Sequence, residues 1–165
     1  MNYRKLAENL SMCRIVIDVI LFTSPVDRVT DKINYQNQQK FFEAVKKSGV
    51  TIRTGNLVTK KFQCRYCKAT PIICKNCDTP LVVKTEKSVD VQIALEMLTR
   101  CMSNDFDVLY LASCDSDLVP AIKFVRNAGK QVFLLLPLGA KGYAVGEACN
   151  TTIPISQEKI LMAQN

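Results

Sequence analysis

Histidine is absent from the whole 165-residue chain, and with it any reaction that needs an imidazole as acid, base or nucleophile partner. Histidine-based ribonuclease chemistry is therefore excluded, and serine–histidine and cysteine–histidine nucleophiles fall with it. No apolar run reaches the length of a membrane span, so no membrane partner is expected. The opening stretch MNYRKLAENL lacks the basic region followed by an apolar one that marks a secretory leader, which places the expected location in the cytoplasm. There is no internal repeat and no low-complexity linker. What remains, with 48% hydrophobic and 22% charged residues, suits one domain over residues 1–165, long enough to bury a real core.

Two compositional features stand out against those absences. The formal charge is +7, spread over many short clusters, which suits a polyanionic partner such as nucleic acid, although solvated lysines account for such an excess equally well. Eight cysteines are present, and a reducing cytosol makes metal ligands or buried thiols of them, not disulfides.

Along the chain, helical spacing at Leu6, Ala7 and Leu10 precedes the β-branched run Arg14 to Phe22, read as a buried strand. Phe41, Phe42 and Val45 mark a helix stopped by Gly49, and VTIRTGNLV follows as a strand. Ser88 is placed to cap a helix from Val89 to about Met102, with the stripe Val91, Ala94, Leu95 and Leu98. A strand over Val108 to Ala112 leads to a helix capped by Asp117, with Pro120 in its first turn and Gly129 as its stop. The strand QVFLLLP, a short helix within LGAKGYAVGEACN and a last strand in TTIPIS complete the reading. Alternating helices and apolar strands imply an α/β domain whose mostly parallel sheet is covered on both faces.

An insertion at about 60–84 interrupts this alternation. Cys64 and Cys67, then Cys74 and Cys77, form two C-x-x-C knuckles of the kind that hold Zn²⁺ through four thiolates. Each two-residue gap lets both sulfurs turn toward one ion, and the segment between the pairs, with Pro71, is long enough for a hairpin. Such a site is closed, so its expected role is structural. Lys60, Lys61, Arg65, Lys68 and Lys75 nearby are candidates to touch phosphates, or simply a solvated surface. Cys13, Cys101, Cys114 and Cys149 are expected to be buried small hydrophobes.

The chemistry-bearing candidates are acids. Asp115 and Asp117 follow a strand end, where parallel α/β sheets gather functional residues, and paired carboxylates suit a hard cation such as Mg²⁺ or Mn²⁺. An N-cap and a turn residue would look the same. Asp90, in the first turn of the preceding helix, lies at the edge of its apolar stripe and so turns partly toward the sheet, whereas Glu96 falls opposite and is expected to face solvent.

These residues resemble a known family. EKSVDVQIALEML followed by FDVLYLASCDSDLVPAIKFVRNAGKQV is similar to the NYN domain, a branch of the PIN-like metal-dependent ribonucleases with a Rossmann-like sheet. Its lysine–x–x–aspartate helix start corresponds to Lys87 to Asp90, and its serine–glycine–aspartate–serine–aspartate strand end to Ser113 to Asp117, with Cys114 in place of glycine. Looser similarity extends over ILFTSPVDR, over NQQKFFEAVKKSGVTIRTGNL, and over EACNTTIPI, where Asn150 stands at a position often held by aspartate. A cysteine knuckle before the lysine–x–x–aspartate helix occurs in some relatives. The family opens with a central strand ending in aspartate–x–x–asparagine, which supplies a first metal carboxylate. This sequence has no such motif; NYRKLAENL corresponds to the helix after it, and Asp18, inside a strand and without the asparagine, is a poor substitute. A missing central strand would leave two ladder edges and a slot in the core.

The resemblance implies a Mg²⁺- or Mn²⁺-dependent endoribonuclease in which Asp90, Asp115 and Asp117 hold the cation, basic residues hold the RNA, and Ser113 either orients a group or ends the strand. A non-catalytic nucleic-acid-binding or scaffold protein with the same fold is the alternative. A phosphatase or Toprim-type enzyme would also use aspartate–x–aspartate, but Toprim pairs it with an upstream strand-end glutamate that does not stand here.

Overall fold

The computed structural model describes residues 2–163. Helix α1 (Tyr3–Leu10) is capped by Asn2, whose side chain accepts from the Lys5 amide. Strand β1 (Ile20–Thr23) follows, then α2 (Lys32–Lys47), capped by Asp31 and stopped at Gly49, which sits at φ +77°. Strands β2 (Thr51–Thr54), β3 (Asn56–Lys61) and β4 (Val82–Lys87) lead to α3 (Val89–Met102) and β5 (Val108–Leu111). A 3-10 turn at Ser116–Leu118 runs into α4 (Val119–Asn127), with Pro120 in its first turn as expected. Strand β6 (Gln131–Pro137), α5 (Tyr143–Ala148), β7 (Thr151–Ile155) and α6 (Gln157–Met162) end the described chain; α6 was not expected from the sequence. No helix among the described residues is long and apolar enough to cross a membrane.

The α/β class holds, with mostly parallel strands: β1 pairs β2, and β5, β6 and β7 form a second parallel sheet, while β3 and β4 make an antiparallel hairpin. Alternation along β6 decides which helices cover which face. Val132 and Leu134 point into a core with Met97, Leu118, Ile122 and Val125 from α3, the turn and α4. Phe133 and Leu135 point the other way, against Leu10 of α1 and Ile160 of α6, together with Ile153 and Ile155. Ile122, Val125, Val132 and Leu134 are fully buried, each contributing roughly 2 kcal/mol of apolar transfer. Asn150 ties the start of β7 to the central strand β6: its side-chain oxygen accepts from the Val132 amide at 2.9 Å while its own amide donates to the Val132 carbonyl.

Several local expectations are corrected. The run Arg14 to Phe22 is not one strand, since only its last residues pair, with β2; Ile15 and Ile17 are exposed. Strand VTIRTGNLV breaks at Gly55, which passes so close to the end of β4 and the start of α3 that a Cβ there would meet Glu86 Oε1 at 2.5 Å, the Lys87 carbonyl at 2.7 Å and Val89 at 2.8 Å. Ser88 does not cap α3. It sits at φ +78°, and Glu86 Oε1 accepts from the Val89 amide in its stead. The buried face of α3 carries Met97 and Cys101, with Ile93, Ala94 and Leu98 beside them, so Val91 and Leu95 of the expected stripe are exposed. Glu96 does not point freely to solvent; it accepts from Arg100 at 2.7 Å, and Arg100 also holds Asp18 at 2.6 Å. Cys101 and Cys149 are buried as expected and Cys114 is half-buried, but Cys13 is exposed.

Between β1 and β5 lies a cavity of about 980 Å³. Among the described residues, neither strand has a second ladder partner on that side. Ile20 to Phe22 form one wall, Val108 to Leu111 the other, and Leu6 and Leu10 of α1 reach it.

Candidate functional site

The carboxyl end of β5 and the amino end of α3 meet at a second cavity, of about 440 Å³, lined by Glu86, Ser88, Asp90, Val91, Leu95 and Asp117, with Lys87 at its rim. Asp117 is not the cap expected of it. Asp115 caps the 3-10 turn, its Oδ1 accepting from the Asp117 amide at 2.8 Å, which frees the exposed Asp117 carboxylate to face the cleft. Ser113 Oγ accepts from the Asp115 amide at 3.3 Å and so helps fix the acidic turn. Cys114 packs against Gly142, where a Cβ would come to 3.0 Å of its sulfur, so α5 closes on the turn from behind.

Asp90 registers the crowding of these charges. Burial first, then the charges of Asp115, Glu86 and Asp117, push its carboxyl above the usual carboxylate range. The structure thus brings Asp90 and Asp117 to one cleft, with Asp115 acting on Asp90 through its charge. Glu86 was missed in the sequence; the signal available was its spacing of three before Val89, the reach of a side chain that caps a helix start. Asp18 lies in the wall of the other cavity, in its ion pair with Arg100.

The insertion forms a hairpin arm, β3 and β4 leading to two knuckles of the same design. In the first, the Cys64 amide donates to Ala69 and the Lys68 amide to Cys64; in the second, Cys74 donates to Thr79 and Asp78 to Cys74. Lys68 and Asp78 take the same left-handed conformation, at φ +60° and +51°. Amide donors from Cys67 and Tyr66, and then the Cys67 thiol, lower the Cys64 thiol pKa; the Thr79 hydroxyl and amide do the same for Cys77. The cysteines thus stand as two pairs, and among the described residues no three metal-binding side chains share one ion-binding position. The donor chemistry of both places nevertheless fits a metal: paired thiols with stabilised thiolates suit Zn²⁺, and clustered carboxylates under mutual repulsion suit a hard cation.

Fold and cleft together define a Rossmann-like α/β protein with an acidic site at the carboxyl edge of its sheet. The model of the NYN domain matches residues 1–156, and the chain belongs to that family. The crystal structure of a protein of unknown function from Vibrio parahaemolyticus superposes with a TM-score of 0.61 at 13% identity, covering 95% of this chain and 80% of that one, a likeness of fold alone. No curated protein matches the chain.

Proposed function

We propose that the protein is a divalent-metal-dependent ribonuclease whose cation is held by Asp90, Asp115 and Asp117. The observation that carries this reading is the meeting of Asp90 and Asp117 in one cleft at the carboxyl end of β5, where burial and the neighbouring charges of Asp115, Glu86 and Asp117 push the Asp90 carboxyl up. Membership of the NYN family supports a nuclease-like activity in general. Bound there, Mg²⁺ or Mn²⁺ would lower the pKa of a water and offset charge on the phosphate. The protein's own contributions are positional. Asp115, tied to the turn by the Asp117 amide and Ser113, keeps its charge close to Asp90, and Lys87 offers a cation to the phosphate at the rim. With no histidine in the chain, protons would pass through water and carboxylates. A non-catalytic RNA-binding protein is the second reading, favoured by the engagement of one Asp115 oxygen in capping.

The test is cleavage of single-stranded RNA with and without Mn²⁺ by wild type, Asp90→Asn and Asp117→Asn. Cleavage that needs Mn²⁺ and falls at least about 100-fold in both variants supports the nuclease, since a metal ligand supplies several kcal/mol to the transition state. RNA binding without cutting under any metal condition would leave the second reading in its place.

A further inference from the structure

We propose that the arm built by β3, the two knuckles and β4 is a binding surface for single-stranded nucleic acid, on which Tyr66 stacks against a base while Lys60, Arg65 and Lys68 hold phosphates. The first observation is where the charge lies. Residues 60–84 carry six basic side chains against one acidic one, Asp78, so the arm holds most of the chain's net charge of +7 in about a seventh of its length. A zinc ion held by four thiolates would subtract two and leave the arm basic. Among the described residues only Lys84 of the six forms an ion pair, with Asp27 on the body of the protein. Lys60, Lys61, Arg65, Lys68 and Lys75 stand exposed, as a polyanion would require.

The second observation is apolar surface in the same place. Tyr66 is 96% exposed at the tip of the first knuckle, and Phe62, Ile73, Leu81, Val82 and Val83 are each exposed by 40% or more. Single exposed apolar residues need no explanation, but six within 25 positions of one arm, interleaved with lysines and arginine, give that arm the composition of a surface that stacks unpaired bases. A duplex has its bases hidden, so the exposed ring selects single strands.

The third is direction. In the hairpin register Lys60 faces Val83, and Lys87 lies four residues further along β4 on the same face, about 14 Å away at the rise of a strand. Half-exposed Val58 and its partner Thr85 lie between them, with half-exposed Val83 beside Lys60. Lys87 is also at the rim of the acidic cleft, so a strand laid along this face runs from the knuckle into the cleft. The assignment of that strand as RNA rests on the nuclease reading; the binding surface does not.

The experiment is fluorescence anisotropy of a labelled oligouridylate of about twelve nucleotides, a length within the reach of one such surface, at several salt concentrations and without added Mn²⁺. Lys60→Ala/Arg65→Ala/Lys68→Ala is compared with Lys40→Ala/Lys46→Ala/Lys47→Ala on α2, which removes the same charge elsewhere. The arm variant should bind about tenfold or more weakly at low salt and lose about 2 from the slope of log affinity against log salt, with the α2 variant close to wild type. Tyr66→Ala should cost roughly five- to hundredfold and Tyr66→Phe little, as expected for stacking. Equal losses in the two charge variants, no binding by wild type, or equal affinity for a duplex of the same length would overturn the proposal. Mn²⁺-dependent cleavage with equal charge variants would sink the arm alone. Arm-dependent binding without cleavage would sink the nuclease alone, and single-stranded DNA bound as tightly as RNA would show that the arm reads no 2′-hydroxyl.

Discussion

Asp90 is the residue at which the acidic cleft works against the fold. Its folded pKa lies above its unfolded value, so its contribution to stability is complete below the unfolded value and is lost as pH rises through the folded one. At neutral pH the metal-free protein therefore carries a destabilising carboxylate there. Asp90→Asn should raise the metal-free Tm at pH 7 and lose that advantage near pH 4, while Mn²⁺ should raise the Tm of wild type more than that of the variant. Thermal unfolding at the two pH values, with and without Mn²⁺, checks this, and a variant less stable than wild type at pH 7 would count against it. Asp115 and Asp117 were legible from their place after an apolar strand, but their division of labour was not. Which carboxylate caps and which faces the cleft depends on the 3-10 turn, whose hydrogen bond runs from the Asp117 amide to Asp115 and not the other way.

At the scale of elements, the junction of β2, β3 and the β4–α3 turn leaves no room at Gly55. Gly55 passes within Cβ-contact distance of Glu86, the Lys87 carbonyl and Val89, which together start the helix that carries Asp90. Gly55→Ala should cost about 1–3 kcal/mol, because backbone lies on one side of the added methyl and cannot yield as a flexible side chain would. Denaturant unfolding measures it, and Gly129→Ala, with open space around it but φ +82°, is the comparison that separates a clash from backbone strain. Both expected caps, Ser88 and Asp117, failed, and the caps at Asn2 and Asp31 were not read, yet most helices were legible from apolar spacing and from the local stops at Gly49 and Gly129. Strand extent was less so. Arg14 to Val19, apart from Asp18, have the β-branched character of a strand, yet a strand exists only where a second backbone accepts its hydrogen bonds, and that partner is not written in the run itself. The face of α3 was misjudged for a related reason: Val91 and Leu95 border the cleft, so a stripe of apolar residues served the site as well as the core.

For the whole molecule, the parallel sheet, the buried QVFLLLP strand and the family were readable from alternation and motif, since both record what packs on both faces of a sheet. The arm's role as a unit apart was readable only in its cysteines. Purified protein should hold about one Zn²⁺ per chain after dialysis under reducing conditions if the two cysteine pairs, separate as they stand, close on one ion as the sequence expects. Cys67→Ser should lose the metal and speed amide exchange across residues 60–84 without altering β6, and Cys13→Ser, exposed and outside the arm, should do neither. A folded wild type free of zinc would end that expectation.

The cavity between β1 and β5 bears on how copies of the protein behave toward one another. Strand edges with unpaired amides and carbonyls are templates for other chains, and natural sheets blunt them with lysine or proline. Ile20–Thr23 and Val108–Leu111 contain neither. Helix α1 covers part of the gap through Leu6 and Leu10, and the net charge of +7, much of it on the arm, adds colloidal repulsion between molecules. Its range shrinks to about 10 Å or less at physiological ionic strength, so salt that weakens the hold on a polyanion also lets the molecules approach each other. A polyanion bound along the arm, as proposed, would neutralise the same charge and so tie the protein's solubility to that ligand.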